Sequence, residues 1–226
     1  MIPVDLRLYG LVDPTRSGGR DPGSLAAAAV AGGATLIQLR DKQASTRRFV
    51  EEARLVRAAM RGSGVPLLIN DRVDVALAVA AEGVHLGQDD MDARDARRQL
   101  GPNAIIGLTI KNEADVDSAP IGAIDYVAIG GVFETLSKDN PDKPVGIDGL
   151  TRLIGRVRAR RPNLPVCAIA GINDERVPGV IGAGADGVAI ISAIFMADDA
   201  EAAARGLRIT VDRALEARGA ATGSAA

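Results

Sequence analysis

Gln38, Arg40 and Lys42 follow one another at every second position where the apolar run Ala34-Thr35-Leu36-Ile37 ends. On an extended chain alternate side chains share a face, so this spacing gathers an amide and two cations on one side. A guanidinium beside an ammonium suits phosphate or pyrophosphate. The same charges at a solvated strand end would pair with neighbours, and the pentapeptide alone leaves both readings open.

Other apolar runs end in similar residues. Pro66-Leu67-Leu68-Ile69 leads into Asn70-Asp71, and Val84-His85-Leu86 into Gly87-Gln88-Asp89-Asp90. Thr109 closes the run that begins near residue 104. Gly130-Gly131-Val132-Phe133-Glu134-Thr135-Leu136-Ser137-Lys138 follows the sixth run, Ala170-Gly171-Ile172 the seventh and Ile191-Ser192-Ala193 the eighth. Two carboxylates, Asp71 and Asp90, near Lys and Arg suit a magnesium–pyrophosphate, because magnesium takes oxygen ligands and usually only one or two carboxylates. Gly171 and the small Ser192-Ala193 let the backbone approach a second, phosphorylated ligand. Each residue has a plainer reading. Asp71 could cap the helix expected from Val73, Asp89 and Asp90 could open the helix near Met91, and Thr135 and Ser137 could be turn residues.

No Ser-His-Asp set and no Cys/His metal cluster can be assembled. The one histidine, His85, lies between Val84 and Leu86 and reads as a supporting residue, not a general base. The four lysines, Lys42, Lys111, Lys138 and Lys143, all follow runs or sit in loops, which disfavours a Schiff-base mechanism. The chemistry left is charge stabilisation and positioning.

The elements that must hold these residues repeat. Short apolar runs near 6–12, 34–39, 66–69, 83–86, 104–108, 124–129, 165–169 and 186–191 alternate with helical patterns near 22–31, 46–61, 73–81, 91–99, 112–118, 147–160, 174–182 and 199–217. Strict alternation implies parallel strands joined by crossover helices. Eight units in one chain of this length predict a single closed (β/α)8 TIM barrel over residues 1–218, with a doubly wound open sheet as the runner-up. In that barrel every residue named above sits at a strand's C-terminal end, where such active sites form. Glycine precedes several strands, at Gly33, Gly83, Gly122 and Gly184, where a left-handed residue ends a helix. Gly182-Ala183-Gly184-Ala185-Asp186-Gly187 spells G-x-G-x-x-G but leaves a helix and opens a strand, the wrong order for a dinucleotide site. Residues 219–226 read as a mobile tail.

Composition sets the outer limits. The chain of 226 residues is 47% hydrophobic but 2% aromatic, with no tryptophan, so its core is aliphatic. The formal net charge of -2 argues against a nucleic-acid partner held by phosphate contacts. No apolar run approaches the roughly 18 residues that span a bilayer, and the start of the chain has no apolar signal core. A single cysteine, Cys167, rules out an internal disulfide, reads as a small buried residue and fits a reducing cytoplasm. The number of subunits stays open, a homo-oligomer included.

Taken together, Ala34–Lys42, Leu68–Arg72, Val84–Asp90, Thr135–Lys138 and Ala185–Ile194 resemble the thiamine-phosphate synthase (thiamine-phosphate pyrophosphorylase) family, from Leu8-Tyr9 to about Leu215. That family joins 4-amino-5-hydroxymethyl-2-methylpyrimidine diphosphate to 4-methyl-5-(2-phosphoethyl)thiazole and releases pyrophosphate. The resemblance implies that Gln38, Arg40, Lys42, Asn70 and Lys138 hold the pyrimidine diphosphate and that Asp71 and Asp90 bind magnesium. It implies that Thr135, Ser137, Gly171, Ile191 and Ser192 hold the thiazole phosphate, and that Thr109, where the family usually has serine, keeps a hydroxyl at the pyrimidine. Arg40, Lys42, Lys138 and Thr109 form the implied catalytic set. The chain departs from the family at Glu134, at Gly130-Gly131, at Ala170-Gly171 and at Ile110-Lys111-Asn112. The alternatives are a thiazole tautomerase of the same fold, which does not need the full diphosphate set, and a non-catalytic sensor of phosphorylated metabolites.

Overall fold

The computed structural model describes residues 4–135 and 143–223. Eight strands close into a barrel in chain order: β1 (Leu8–Val12), β2 (Leu36–Leu39), β3 (Leu67–Asn70), β4 (Gly83–Leu86), β5 (Ile105–Ile110), β6 (Tyr126–Ile129), β7 (Val166–Ile169) and β8 (Gly187–Ile190). All neighbours pair in parallel, and β8 pairs with β1 to shut the ring. The closed barrel is the expected architecture, and closure leaves no place for the open sheet.

The helices are α1 (Pro22–Ala31), α2 (Thr46–Ala59), α3 (Val73–Val79), α4 (Ala93–Leu100), α5 (Glu113–Ser118), α6 (Gly146–Arg160), α7 (Val177–Gly182), α8 (Ser192–Phe195) and α9 (Ala200–Gly223). Two differences from the sequence reading stand out. A short helix, α8, follows β8 directly and is not among the helical patterns read from the sequence. The last helix continues through Gly219 to Gly223, so the start of the segment read as a tail is helical. Its alanine-rich composition explains this, since alanine is the best helix former. No helix among the described residues is long and apolar enough to cross a membrane.

The pleat sorts the strand residues onto two faces. Leu8, Val12, Ile37, Leu39, Ile69, Val84 and Leu86 face outward into the helices and form the large aliphatic core. Tyr9, Leu11, Leu36, Leu68, Tyr126, Cys167 and Ala189 face inward and fill the barrel. Both faces are buried, which is why the strands read as near-continuous apolar runs. Each fully buried aliphatic side chain is worth roughly 1.5–3 kcal/mol. The inner face turns polar toward the C-terminal ends, where Gln38, Asn70 and His85 are also buried.

The joints follow the expected glycine rule in part. Gly33 and Gly184 take left-handed φ of 99° and 106°. The joint before β4 differs: α3 ends on left-handed Ala80, and Gly83 serves another purpose. A Cβ on Gly83 would fall 1.8 Å from the carbonyl oxygen of Ile105, so only glycine lets β4 and β5 approach.

Candidate active site at the C-terminal rim of the barrel

The strand ends surround a cavity of about 140 Å³. Of the predicted site residues, Gln38, Arg40, Asn70, Thr109, Thr135, Gly171, Ile191 and Ser192 line it. Lys42, Asp71 and Asp90 stand beside it and form a cluster of their own. Ser137 and Lys138 lie outside the described residues.

Gln38 ends its strand's inward row and is completely buried. Its Nε2 donates to the Tyr9 hydroxyl, while its Oε1 is buried without a hydrogen-bond partner. Arg40, just past β2, is held by an ion pair with Asp13, which is 1% exposed. Asp13 also accepts from the backbone N–H of Thr15 at 2.9 Å and from its hydroxyl at 2.6 Å. A carboxylate tied down on several sides fixes the guanidinium at the cavity wall.

Asp71 adopts left-handed φ of 60°, and its N–H donates to the His85 carbonyl at 2.9 Å. It does not cap α3, whose N-cap is Arg72 without a side-chain cap bond. Nor does Asp90 open α4, which Asp92 caps through the Arg94 N–H at 2.7 Å. Asp90 instead accepts from the Gly87 N–H at 2.6 Å. Burial first, and then the neighbouring Asp90 carboxyl, push the Asp71 carboxyl above its usual range despite Lys42 Nζ at 2.7 Å. A carboxyl whose ionisation is disfavoured by burial and by a neighbouring carboxyl is relieved by a nearby cation. Among the described residues there is no cluster of three or more His, Cys, Asp or Glu. The donor set is therefore a carboxylate pair, which suits magnesium completed by phosphates and water better than zinc.

Across the cavity, Gly171 takes φ of 64°. A Cβ there would lie 2.3 Å from the Glu134 carbonyl oxygen, so the segments after β6 and β7 meet at a point only glycine permits. Arg176 donates to the Gly171 carbonyl and stacks over Phe133, 4.5 Å from the ring centroid. Ala170 carries left-handed φ of 93° without being glycine. The Glu134 side chain is exposed and is not part of the cavity wall.

Three sets of residues were not singled out by sequence reasoning. Asp13 is the first polar residue after β1, and the rule applied to the other strand ends would have found it. Lys111 lines the cavity two positions after Thr109, on the same face of the extended chain. Tyr9 and Tyr126 left no signal, because an aromatic in an apolar run reads as core. Their hydroxyls lie 2.9 Å apart, and Tyr126 Oη is 2.8 Å from His85 Nδ1. His85 Nε2 in turn is 2.8 Å from Thr109 Oγ1, so the histidine is a supporting residue at the cavity wall.

Comparison with known proteins agrees with this geometry. The chain matches the TMP-TENI family, described as thiamine monophosphate synthase, over residues 8–194. It is 57% identical over 218 residues to a thiamine-phosphate synthase of Agrobacterium fabrum, covering 96% of this chain and 99% of that one. It is 46% identical over 208 residues to a thiamine-phosphate synthase of Chloroflexus aurantiacus, covering 92% and 94%. The solved thiamine phosphate pyrophosphorylase from Pyrococcus furiosus superposes with a TM-score of 0.81 at 34% identity, covering 95% of this chain and 100% of that one. Barrel, rim and sequence agree over nearly the whole chain, which belongs to the thiamine monophosphate synthase family.

Proposed function

We propose that this chain is a thiamine-phosphate synthase. It condenses 4-amino-5-hydroxymethyl-2-methylpyrimidine diphosphate with 4-methyl-5-(2-phosphoethyl)thiazole to give thiamine phosphate and pyrophosphate. The observation that carries the reading is the cluster in which Lys42, Asp71 and Asp90 meet, following β2, β3 and β4, whose ends place Arg40 and Asn70 on the cavity wall. A tautomerase acting on the thiazole alone, or a sensor, has no use for that cluster.

In this reading Arg40, Lys42 and Lys138 hold the diphosphate and stabilise the charge that builds on it as the bond between the pyrimidine methylene carbon and oxygen breaks. Gln38, Asn70 and Thr109 hold the pyrimidine ring, whose electrons support the positive methylene carbon. The thiazole nitrogen attacks that carbon with its own lone pair, so the protein needs no strong base. Thr135, Ser137, Gly171, Ile191 and Ser192 hold the thiazole phosphate. Asp71 and Asp90 would bind magnesium, which supplies further charge neutralisation to the leaving pyrophosphate when bound. The catalytic unit is residues 1–218, and a cytoplasmic setting goes with the single cysteine, Cys167, which is buried.

The test is to mix the purified protein with both substrates, with and without magnesium, and to measure pyrophosphate. Release that needs both substrates and magnesium is expected. Absence of magnesium-dependent release overturns the reading.

A further inference from the structure

We propose that Tyr9 and Tyr126 are positioning residues. They link Gln38 and Thr109 through His85 into one directional hydrogen-bond chain, which leaves Gln38 to accept from the ligand and Thr109 to donate to it.

The chain crosses the inside of the barrel. It runs from Gln38 to Tyr9, on to Tyr126 at 2.9 Å, to His85 Nδ1 at 2.8 Å, and from His85 Nε2 to Thr109 Oγ1 at 2.8 Å. Both tyrosines are at most 1% exposed among Leu36, Leu68, Ala128 and Cys167. Phenylalanine would fill that space without a hydroxyl to satisfy, and an unpaired buried hydroxyl costs about 1–3 kcal/mol. Burial pushes both phenols up, so they stay neutral and act as hydrogen-bond groups only.

The barrel also makes room for the contact. Gly107 is in register with both His85 and Tyr126. A Cβ there would lie 2.1 Å from Tyr126 Cζ, so the phenol lies across the glycine toward the imidazole. The two rings are 5.5 Å apart and tilted by 31°.

Counting protons gives the direction. A hydroxyl donates one hydrogen, and a neutral imidazole donates from one nitrogen and accepts at the other. Gln38 Nε2 donates to Tyr9. Either hydroxyl of the 2.9 Å Tyr9–Tyr126 pair can be the donor, but a Tyr9 that accepted from both Gln38 and Tyr126 would bury its own proton unpaired, so in the proposed chain Tyr9 donates to Tyr126. Tyr126 in turn donates to His85 Nδ1. The imidazole proton therefore sits on Nε2 and goes to Thr109, whose hydroxyl proton is left for the cavity. At the other end the buried, unpartnered Oε1 of Gln38 is left to accept. The two ends have opposite polarity, and they ask for a ligand edge with an N–H donor beside an acceptor. If the proposed function holds, the amino group and ring nitrogen of the 4-aminopyrimidine are that edge.

Two measurements test this on untagged, full-length protein. His85 is the only histidine, so the imidazole 15N spectrum reports on the chain directly. The expected wild-type spectrum is a single neutral tautomer with its proton on Nε2. In Tyr126→Phe the loss of the donor to Nδ1 should shift that nitrogen's resonance. A proton on Nδ1, or averaging between tautomers in the wild type, overturns the proposal. In steady-state kinetics, Tyr9→Phe and Tyr126→Phe should each raise KM for the pyrimidine diphosphate about five- to tenfold, the loss expected for one hydrogen bond. KM for the thiazole phosphate should stay within about twofold. The double variant should be no worse than either single one, because the chain is cut once. Unchanged pyrimidine KM, equal rises in both KM values, or multiplicative effects in the double variant overturn the positioning role. A locked His85 in a protein that releases no pyrophosphate would sink the functional reading and spare the chain; Mg-dependent release with an averaging His85 would do the reverse.

Discussion

Lys42 Nζ lies 2.7 Å from Asp71 Oδ2, so the cation proposed to grip the diphosphate is paired with a carboxylate proposed to bind magnesium. The lysine side chain is 48% exposed, and an ion pair that open to water is worth at most about 1 kcal/mol. A divalent cation can displace Lys42 from Asp71 at little cost and free it for phosphate. In the proposed function, Asp71 and Lys42 would form a weak lock that ligand binding opens.

The raised Asp71 carboxyl makes stability depend on pH and on metal. A carboxyl whose folded pKa lies above its unfolded value favours the folded state at low pH. That contribution is lost as pH rises through the folded value. Without a divalent cation, Asp71 thus works against the fold at neutral pH. Magnesium should raise the melting temperature at pH 7 by at least about 2 °C, and by less at pH 4. Asp71→Asn keeps a residue that tolerates left-handed φ, should melt no lower than wild type without metal, and should lose the magnesium response. Thermal melts at both pH values with and without magnesium decide this.

Removing the main electrostatic groups should hit turnover. Asp71→Ala and Lys138→Ala are each expected to lower kcat about 10²-fold or more. Rates near wild type in the pyrophosphate assay would show that these residues have other roles.

Asp13→Asn tests the brace behind Arg40. The amide keeps an oxygen for the Thr15 N–H but loses the charge paired with the guanidinium. A freed arginine should raise KM for the pyrimidine diphosphate about tenfold, since misplacement of a binding group costs at least that much. KM for the thiazole phosphate should stay unchanged. Equal effects on the two substrates would point to a fold defect instead.

Ala170→Gly should relieve the left-handed alanine at φ 93°. The strain is worth roughly 1–2 kcal/mol, and the added chain entropy of glycine takes back about 0.5–1 kcal/mol. The variant should melt at the same temperature or slightly higher and should bind the thiazole phosphate at least as well. Denaturant unfolding and KM for the thiazole phosphate measure both.

Much of the architecture was legible in the chain itself. The period of the apolar runs marked eight strands, because both faces of a parallel barrel strand are buried. The polar residues at their ends marked one rim, because parallel strands all point the same way. Alternation alone placed Gln38 with Arg40 and located Thr109. What only the tertiary structure decided is which side chains from distant strands meet. Asp13 and Arg40 meet because β1 and β2 are adjacent and Val12 pairs with Leu39. Tyr9 and Tyr126, 117 residues apart, meet only because closure turns every second side chain toward one axis. A pattern of hydrophobicity says that such a residue is buried. It takes the closed ring to say against what, and so to turn two core aromatics and a strand histidine into the link between Gln38 and Thr109.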